Sequence, residues 1–272
     1  MPYDWPPLTP GDPDVVARRV AAVLEDAWQR LADKQAVVIT SIVARWRLPY
    51  VLQTLEEFKT GISDFHSRVD NEAQAFVRRQ LPYLYEQGAQ AAVRAAGAGP
   101  FGWTQPHADA LQSLASDSYG DFLRRSQEAE RMAERWYRAA RAAAREEVPL
   151  LAAGNTTARQ AAKNLADRLA AQSLTHVVYR NGARVPVRAW AEAATLAKSA
   201  VAYNAGTLNV AREAGVGYVE VFDGIGCGWT SHQDPDLATG TLRTVDDAAS
   251  WPISHPRCRR AFGPRPDVPN PA

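Results

Sequence analysis

The sequence is poor in cysteine, carries no excess of either charge and has no long apolar run. Two cysteines in 272 residues cannot form a disulfide framework. The 31 lysines and arginines against 30 aspartates and glutamates leave a net charge of +1. This balance argues against a dedicated nucleic-acid-binding protein, although it allows a local basic patch. No stretch of about 18 apolar residues occurs, so we expect no membrane span.

Targeting and catalytic motifs are missing as well. The Pro-rich, acidic start of the chain lacks the basic and apolar regions of a secretory signal, so we expect a cytoplasmic protein. There is no glycine elbow around a serine, no phosphate-binding loop and no His-Glu-x-x-His motif. A Cys/His pair could supply a thiol nucleophile and its base, but no complete catalytic set can be placed, and we predict no enzyme.

Alanine is abundant, and arginine greatly outnumbers lysine. Alanine is the best helix former, and apolar residues at spacings of three and four predict long helices from Pro13 onward. Thr60-Gly61 and Pro82 are expected to interrupt them. A helix starting near Gln105 should carry a solvated, arginine-rich face, and a further helix is expected over residues 158–172.

The pattern changes at Leu174. Asn181-Gly182 between two alternating β-prone runs predicts a hairpin, followed by a helix and by a strand over residues 217–222. The predicted fold class is mostly α: a long-helix N-terminal region, then a small α+β module with a β-hairpin and an irregular C-terminal segment. We divide the chain into a Pro-rich arm, a helical domain, the α+β module and a flexible tail, at residues 1–12, 13–173, 174–262 and 263–272. No internal repeat and no heptad run long enough for a coiled coil is evident.

Both cysteines and two of the five histidines lie in the irregular segment. Cys227, His232, His255 and Cys258 follow the pattern C-x4-H-x22-H-x2-C, and two such pairs could close a tetrahedral zinc site. Metal binding would add folding free energy to a loop-rich module with a small core. Asp234 is an alternative fourth ligand, as is Asp236. The cluster could equally be unmetallated, or the two cysteines could form one disulfide.

Arg257, Arg259 and Arg260 form a basic cluster close to the second Cys/His pair. Such a cluster could contact DNA phosphates or pair with acidic residues of a protein partner. A solvated charged surface is the simplest interpretation.

Residues 174–262 resemble the C-terminal half of tailed-phage minor capsid proteins, the head-morphogenesis family of the phage Mu F type in its actinobacteriophage form. The shared features run in one order: the hairpin with Tyr179 and Gly182, a helix with Asn204 and Gly206, a strand ending at Asp223, and finally Cys227, His232 and the His-Pro-x-Cys-Arg run that starts at His255. Many family members carry further cysteines where this chain has Thr230 and Arg260. The resemblance therefore makes His232 the substitute ligand.

The resemblance implies a structural protein of the virion, located in the capsid interior near the portal and assembled in the host cytoplasm. Its implied partners are the portal protein and the major capsid protein, with contact to packaged DNA and a part in DNA packaging or delivery. The alternatives are an enzyme of the nuclease or ADP-ribosyltransferase-like toxin type, sometimes fused to related head proteins, and a capsid maturation protease. A fused toxin would need more chain beyond the His-Pro-x-Cys segment, and a protease would need a Ser/His set.

Overall fold

A computed structural model of the protein describes residues 6–44, 48–152, 176–179, 181–224 and 238–270, together with residues 157, 160, 163, 164, 167 and 174. The helices are α1 (Pro13–Ala44), α2 (Leu48–Ala75), α3 (Leu81–Ala96), α4 (Gln105–Ala152), α5 (Val187–Glu213) and α6 (Val245–Ser250). The strands are β1 (His176–Val178), β2 (Arg184–Pro186), β3 (Tyr218–Phe222), β4 (Leu242–Thr244) and β5 (Ala261–Pro264). The mostly α fold class is thus confirmed. The helix expected over residues 158–172 lies mainly outside the described residues.

Helix α1 begins where the sequence predicts. The side chain of Asp12 accepts hydrogen bonds from the backbone N–H groups of Asp14 (2.8 Å) and Val15 (3.2 Å), and Pro13 occupies the first turn. This cap satisfies two of the amides that every helix start leaves without a partner. The apolar face predicted for α1 is confirmed, because its members are all buried: Val16, Val20, Val23, Ala27 and Leu31.

The break predicted at Thr60-Gly61 is wrong, because α2 runs through both residues. A glycine inside a helix costs about 1 kcal/mol relative to alanine, which packing can offset. Gly61 is buried beneath the side chain of Lys34, whose Nζ donates to the backbone oxygen of Glu57 at 3.3 Å. A Cβ at Gly61 would overlap that side chain, so the glycine makes room for a contact between α1 and α2.

Pro82 alters the helix without ending it. A π-helical turn over Phe76–Gln80 joins α2 to α3, and the N–H of Leu81 donates to the oxygen of Phe76. Proline lacks an N–H and clashes with the carbonyl four residues earlier, so a regular helix cannot pass through it unchanged. The wider turn shifts the hydrogen-bond register just ahead of Pro82, a common way to absorb such a defect.

Helix α4 buries a seam of mostly small residues along one side. Its buried positions follow spacings of four and three and include Phe122, Ser126, Ala129, Ala133, Trp136, Ala140 and Ala143. This heptad-like spacing of mostly small residues was not predicted from the sequence. The alanines of α4 were interpreted only by their helix propensity. Their small side chains also let a neighbouring segment approach closely.

The residues group into two compact units that are interleaved along the chain, whereas the predicted division was linear. The first unit comprises Met1–Asp4, Ala21–Glu72 and Asp121–Trp190, and the second comprises Trp5–Val20, Ala73–Gly120 and Ala191–Ala272. In the first unit, Trp28 contacts Phe65 edge to face with ring centroids 4.5 Å apart. Among the described residues, no helix is long and apolar enough to cross a membrane.

The predicted hairpin is confirmed in the first unit. Strands β1 and β2 pair antiparallel, with Val177 opposite Val185. Gly182 has φ of 82° and donates its N–H to the oxygen of Tyr179 at 2.9 Å. The side chain of Asn181 accepts from the N–H of Ala183 at 3.1 Å. Glycine is required in the turn because other residues rarely adopt this left-handed conformation.

A three-stranded antiparallel sheet of order β4-β3-β5 lies in the second unit. Strand β3 matches its prediction, but β4, β5 and α6 were expected to be irregular. The segment from residue 263 was predicted to be a flexible tail, and the structure describes its contacts as far as residue 270. Gly263 pairs with Glu220 in the sheet, and Asn270 bonds to the backbone of Gly215 and Gly217. Strands as short as β4 and β5, the latter with glycine and proline, give little alternation of apolar and polar residues in the sequence. Pro264 is tolerated because β5 is an edge strand.

Candidate functional site

The second half of the predicted zinc site forms one tight turn. The N–H of Cys258 donates to the oxygen of His255 at 2.9 Å, so the two residues lie at the ends of the same turn. Cys258 is a free, buried thiol, and its Sγ accepts a hydrogen bond from the N–H of Arg260 at 3.4 Å. Hydrogen bonds to a ligand side chain orient metal ligands in many proteins.

The other half of that site cannot be placed. Cys227 and His232 lie outside the described residues, as do the alternative ligands Asp234 and Asp236. Among the residues that are described, no three His, Cys, Asp or Glu side chains form a group that could hold a metal ion. The structure therefore brings together His255 and Cys258, and the four-ligand zinc site stays a prediction.

For Arg260 the sequence left contact with DNA, contact with a protein partner and a solvated surface open, and in the structure its side chain is buried. Its guanidinium forms a bidentate ion pair with Asp223, with Nε 2.7 Å from Oδ1 and Nη2 3.0 Å from Oδ2, and both side chains are completely buried. A third guanidinium nitrogen lies 3.5 Å from the backbone oxygen of Trp251. Arg260 is thus enclosed, and its charge is neutralised inside the second unit.

The surroundings of Asp223 stabilise its charged form. Burial by itself raises the pKa of this carboxyl, but hydrogen bonds from Arg260 and from the N–H of Ala238, with the attraction of Arg260 and Arg243, outweigh it and hold the pKa below its ordinary value. The buried Asn204 of α5 donates to the backbone oxygen of Arg260 at 2.9 Å. These contacts of Asp223 and Asn204 with Arg260 therefore connect the end of β3 and helix α5 to the segment that precedes β5.

The other two arginines of the predicted basic cluster remain at the surface. Arg257 lies 3.6 Å from Glu192, and Arg259 is hydrogen-bonded to Asp14. The hydrogen bond from Arg259 holds the pKa of Asp14 below its usual value. Both guanidinium groups are about half exposed, so contact with a partner through Arg257 or Arg259 stays a prediction.

A chain of hydrogen bonds in the second unit was not predicted from the sequence. The hydroxyl of Tyr85 lies 2.8 Å from Nδ1 of His107, and Nε2 of His107 lies 2.9 Å from a carboxylate oxygen of Glu213. Asn209 donates to the Tyr85 hydroxyl at 2.7 Å, and Thr104 donates to Glu213 at 2.7 Å. No sequence motif predicts that these residues meet, because they come from α3, α4, α5 and the segment before α4.

The Tyr, His and Glu side chains in this chain of hydrogen bonds are those of a proton relay, but its tyrosine and histidine are inaccessible to a substrate. Tyr85 and His107 have no exposed surface, so a substrate atom cannot reach the imidazole or the phenol. Burial raises the pKa of Tyr85, which keeps the hydroxyl protonated and able to hydrogen-bond. The arrangement therefore joins α3, α4 and α5 by satisfying buried polar groups.

Comparison with known proteins agrees with the resemblance found in the sequence. A family model described as phage minor capsid protein 2 matches residues 22–226. The match extends into the long helices, beyond the residues that carry the resemblance in the sequence, and it ends just before Cys227. No curated protein and no solved structure matches the chain. Because the family match covers most of its length, the chain belongs to the phage minor capsid protein 2 family, a structural component of phage capsids.

Proposed function

We propose that this minor capsid protein acts in head morphogenesis inside the capsid, bound at the portal vertex and in contact with the portal and major capsid proteins. The observation that carries the proposal is the family match over residues 22–226, which supports a structural capsid role and a place in the virion. The portal, the assembly step and a part in DNA packaging or delivery go beyond that match and rest on the resemblance of the C-terminal module.

The shape of α4 supports a docking role. It has 48 residues, so at 1.5 Å per residue it is about 72 Å long. Its arginines at 131, 135, 138 and 145 are exposed. A helix of this length offers an extended surface to a neighbouring protein or to DNA.

The buried polar contacts within the second unit support a structural role and not a catalytic one. The ion pair between Asp223 and Arg260 has no exposed side-chain surface, and the imidazole of His107 is equally enclosed. Buried polar groups of this kind specify one arrangement of their elements without exposing reactive atoms to a substrate.

Co-expression with the cognate portal protein tests the proposed location. We expect a stable complex through affinity capture and size-exclusion chromatography, and no such complex with the major capsid protein expressed alone in its unassembled form. Immunogold labelling of procapsids should mark one vertex per particle. Failure of the complex under several salt conditions, with label spread over the whole shell, would contradict the portal assignment.

We also propose that Cys227, His232, His255 and Cys258 bind one Zn²⁺. The supporting observation is the turn that holds His255 and Cys258 together, with the amide of Arg260 directed at the thiol sulfur. In this proposal the metal is structural, because four protein ligands leave no open position for water or substrate.

A further inference from the structure

Helix α4 carries a stripe of arginines along one side. Arg131, Arg135, Arg138 and Arg145 are all exposed, and Ala142 completes a spacing of four, three, four and three residues. At 3.6 residues per turn these positions share one face of the helix. We call these four arginines the arginine stripe.

The arginine stripe lies opposite the buried seam of the same helix. Ala129, Ala133, Trp136 and Ala140 are buried, and at 3.6 residues per turn they project about half a turn away from the arginines. The seam fixes how α4 is rotated within the first unit. The stripe therefore faces outward because of the packing and not because of a chosen rotamer.

None of the four arginines forms an ion pair or hydrogen bond with a described residue. The nearby acidic side chains are largely engaged elsewhere: Glu130 lies 3.3 Å from His66, and Glu128 lies 2.7 Å from Arg125. Glu134 and Glu146 are the exposed carboxylates next to the stripe in sequence, and Glu134 forms no ion pair within 4.0 Å with a described residue. A protein with net charge +1 thus concentrates on one helix face four positive charges that no described residue pairs.

We infer that the arginine stripe binds the phosphate backbone of double-stranded DNA without regard to sequence. Duplex DNA carries one negative charge per about 1.7 Å of its axis, and the stripe spans about 21 Å. An arginine guanidinium matches phosphate geometry with two parallel hydrogen bonds. The inference deepens the proposed part in DNA packaging or delivery, but it does not depend on binding to the portal.

The composition of the stripe favours DNA over an acidic protein surface. Protein interfaces usually have a buried core of aromatic or large apolar residues. Among the described residues, no exposed large hydrophobic side chain lies on α4. Ala142 adds only a methyl group between the arginines. A face of separate charges with no apolar anchor suits a polyanion whose charges repeat.

Binding of the full-length protein to a fluorescent 30-base-pair duplex of random sequence tests the inference, measured by anisotropy between 50 and 200 mM salt. If four phosphates are contacted, the slope of log affinity against log salt is about −3.6, so affinity falls on the order of 10²-fold over this range. The variant R131Q/R135Q/R138Q/R145Q should lose most of this binding and most of the slope. Four other exposed arginines provide a control with the same loss of charge: R18Q/R78Q/R94Q/R184Q.

Each outcome decides the question. Strong loss in the stripe variant with near-normal binding in the control variant, and with equal helicity of both by circular dichroism, supports the inference. Equal loss in both variants would show that only net charge matters and would overturn it. Absence of binding by the unmodified protein at 50 mM salt would also overturn it. A stripe variant that keeps DNA binding but fails to capture the portal protein would assign the stripe to a protein partner, which again rejects the inference.

Discussion

Asp223 accepts two hydrogen bonds from Arg260, at 2.7 and 3.0 Å, across 37 residues of sequence, and neither side chain is exposed. Asp223 follows the end of β3 and Arg260 directly precedes β5, so the pair joins the ends of two strands that are neighbours in the sheet. A buried ion pair gains little over an apolar pair of similar volume, but removing one partner leaves a buried charge without compensation. Both single substitutions should therefore be costly.

Replacing Arg260 with methionine should destabilise the protein by about 3–5 kcal/mol, because the Asp223 carboxylate remains buried without its partner. The free energy of unfolding from urea titration measures this. Arg257→Met is the matched control: its half-exposed ion pair with Glu192 should contribute no more than about 1 kcal/mol. The double variant D223L/R260M should recover much of the loss. Equal stabilities of R260M and R257M would contradict the account.

The same pair predicts how stability changes with acidity. The folded pKa of Asp223 lies below its ordinary value of 3.8, so the contribution of the pair is present above that value and is lost as the pH falls through the folded pKa. Unfolding titrations between pH 7 and pH 2.5 should show wild-type stability dropping in this acid range. Asp223→Asn should be less stable at pH 7 and should show a smaller drop. Identical acid profiles of the two proteins would be evidence against this role.

Two glycines should be irreplaceable where α3 crosses α5. A Cβ on Gly88 would overlap the backbone oxygen of Tyr203, and one on Gly206 would overlap that of Tyr85. Alanine normally stabilises a helix interior by about 1 kcal/mol over glycine, but here it would force two backbones apart. Gly88→Ala and Gly206→Ala should each lower the melting temperature, whereas Gly120→Ala in α4, with open space around it, should raise it slightly. A rise in all three variants would refute the close crossing.

These glycines show where sequence reasoning was informative and where it was not. The resemblance quoted Gly206 as a family feature, but its physical reason, a backbone of another helix at van der Waals distance, became visible only in three dimensions. Gly61 was interpreted as a helix break from its intrinsic propensity, and tertiary packing overrode that propensity. In contrast, Gly182 was predicted correctly, because a turn between two β-prone runs depends on local conformation alone.

The candidate site divides in the same way. His255 and Cys258 are separated by two residues in a Pro-containing turn, and local spacing was enough to place them together. Arg260 was grouped with Arg257 and Arg259 because they are close in sequence, yet its partner Asp223 lies 37 residues away. A long-range buried pair leaves no periodic signal, so Arg260 could not be distinguished from its neighbours by sequence alone.

The hydroxyl of Tyr85 should contribute measurably to stability although it has no catalytic access. Tyr85→Phe removes the group that Asn209 and His107 contact and leaves those polar atoms with unmet hydrogen bonds in a buried site. A loss of about 1–3 kcal/mol in the free energy of unfolding follows. Tyr83→Phe, two residues away and 39% exposed, is the control and should change stability by no more than about 0.5 kcal/mol. Equal stability losses in the two variants would show that the hydrogen bonds of Tyr85 do not stabilise the fold.

The proposed zinc site makes a prediction that separates a metal clamp from an unmetallated cluster. Protein purified without chelator should contain one equivalent of zinc by elemental analysis, and a chelator should lower its melting temperature, because the metal binds the folded state alone. Cys258→Ser and His255→Ala should lose the metal, whereas His176→Ala, at a partly buried histidine outside the proposed site, should retain it. The stability loss of Cys258→Ser should depend on added zinc, whereas a lost packing contact would cost the same with or without metal. Metal-free protein with an unchanged melting temperature in chelator would instead favour a thiol held only by the amide of Arg260.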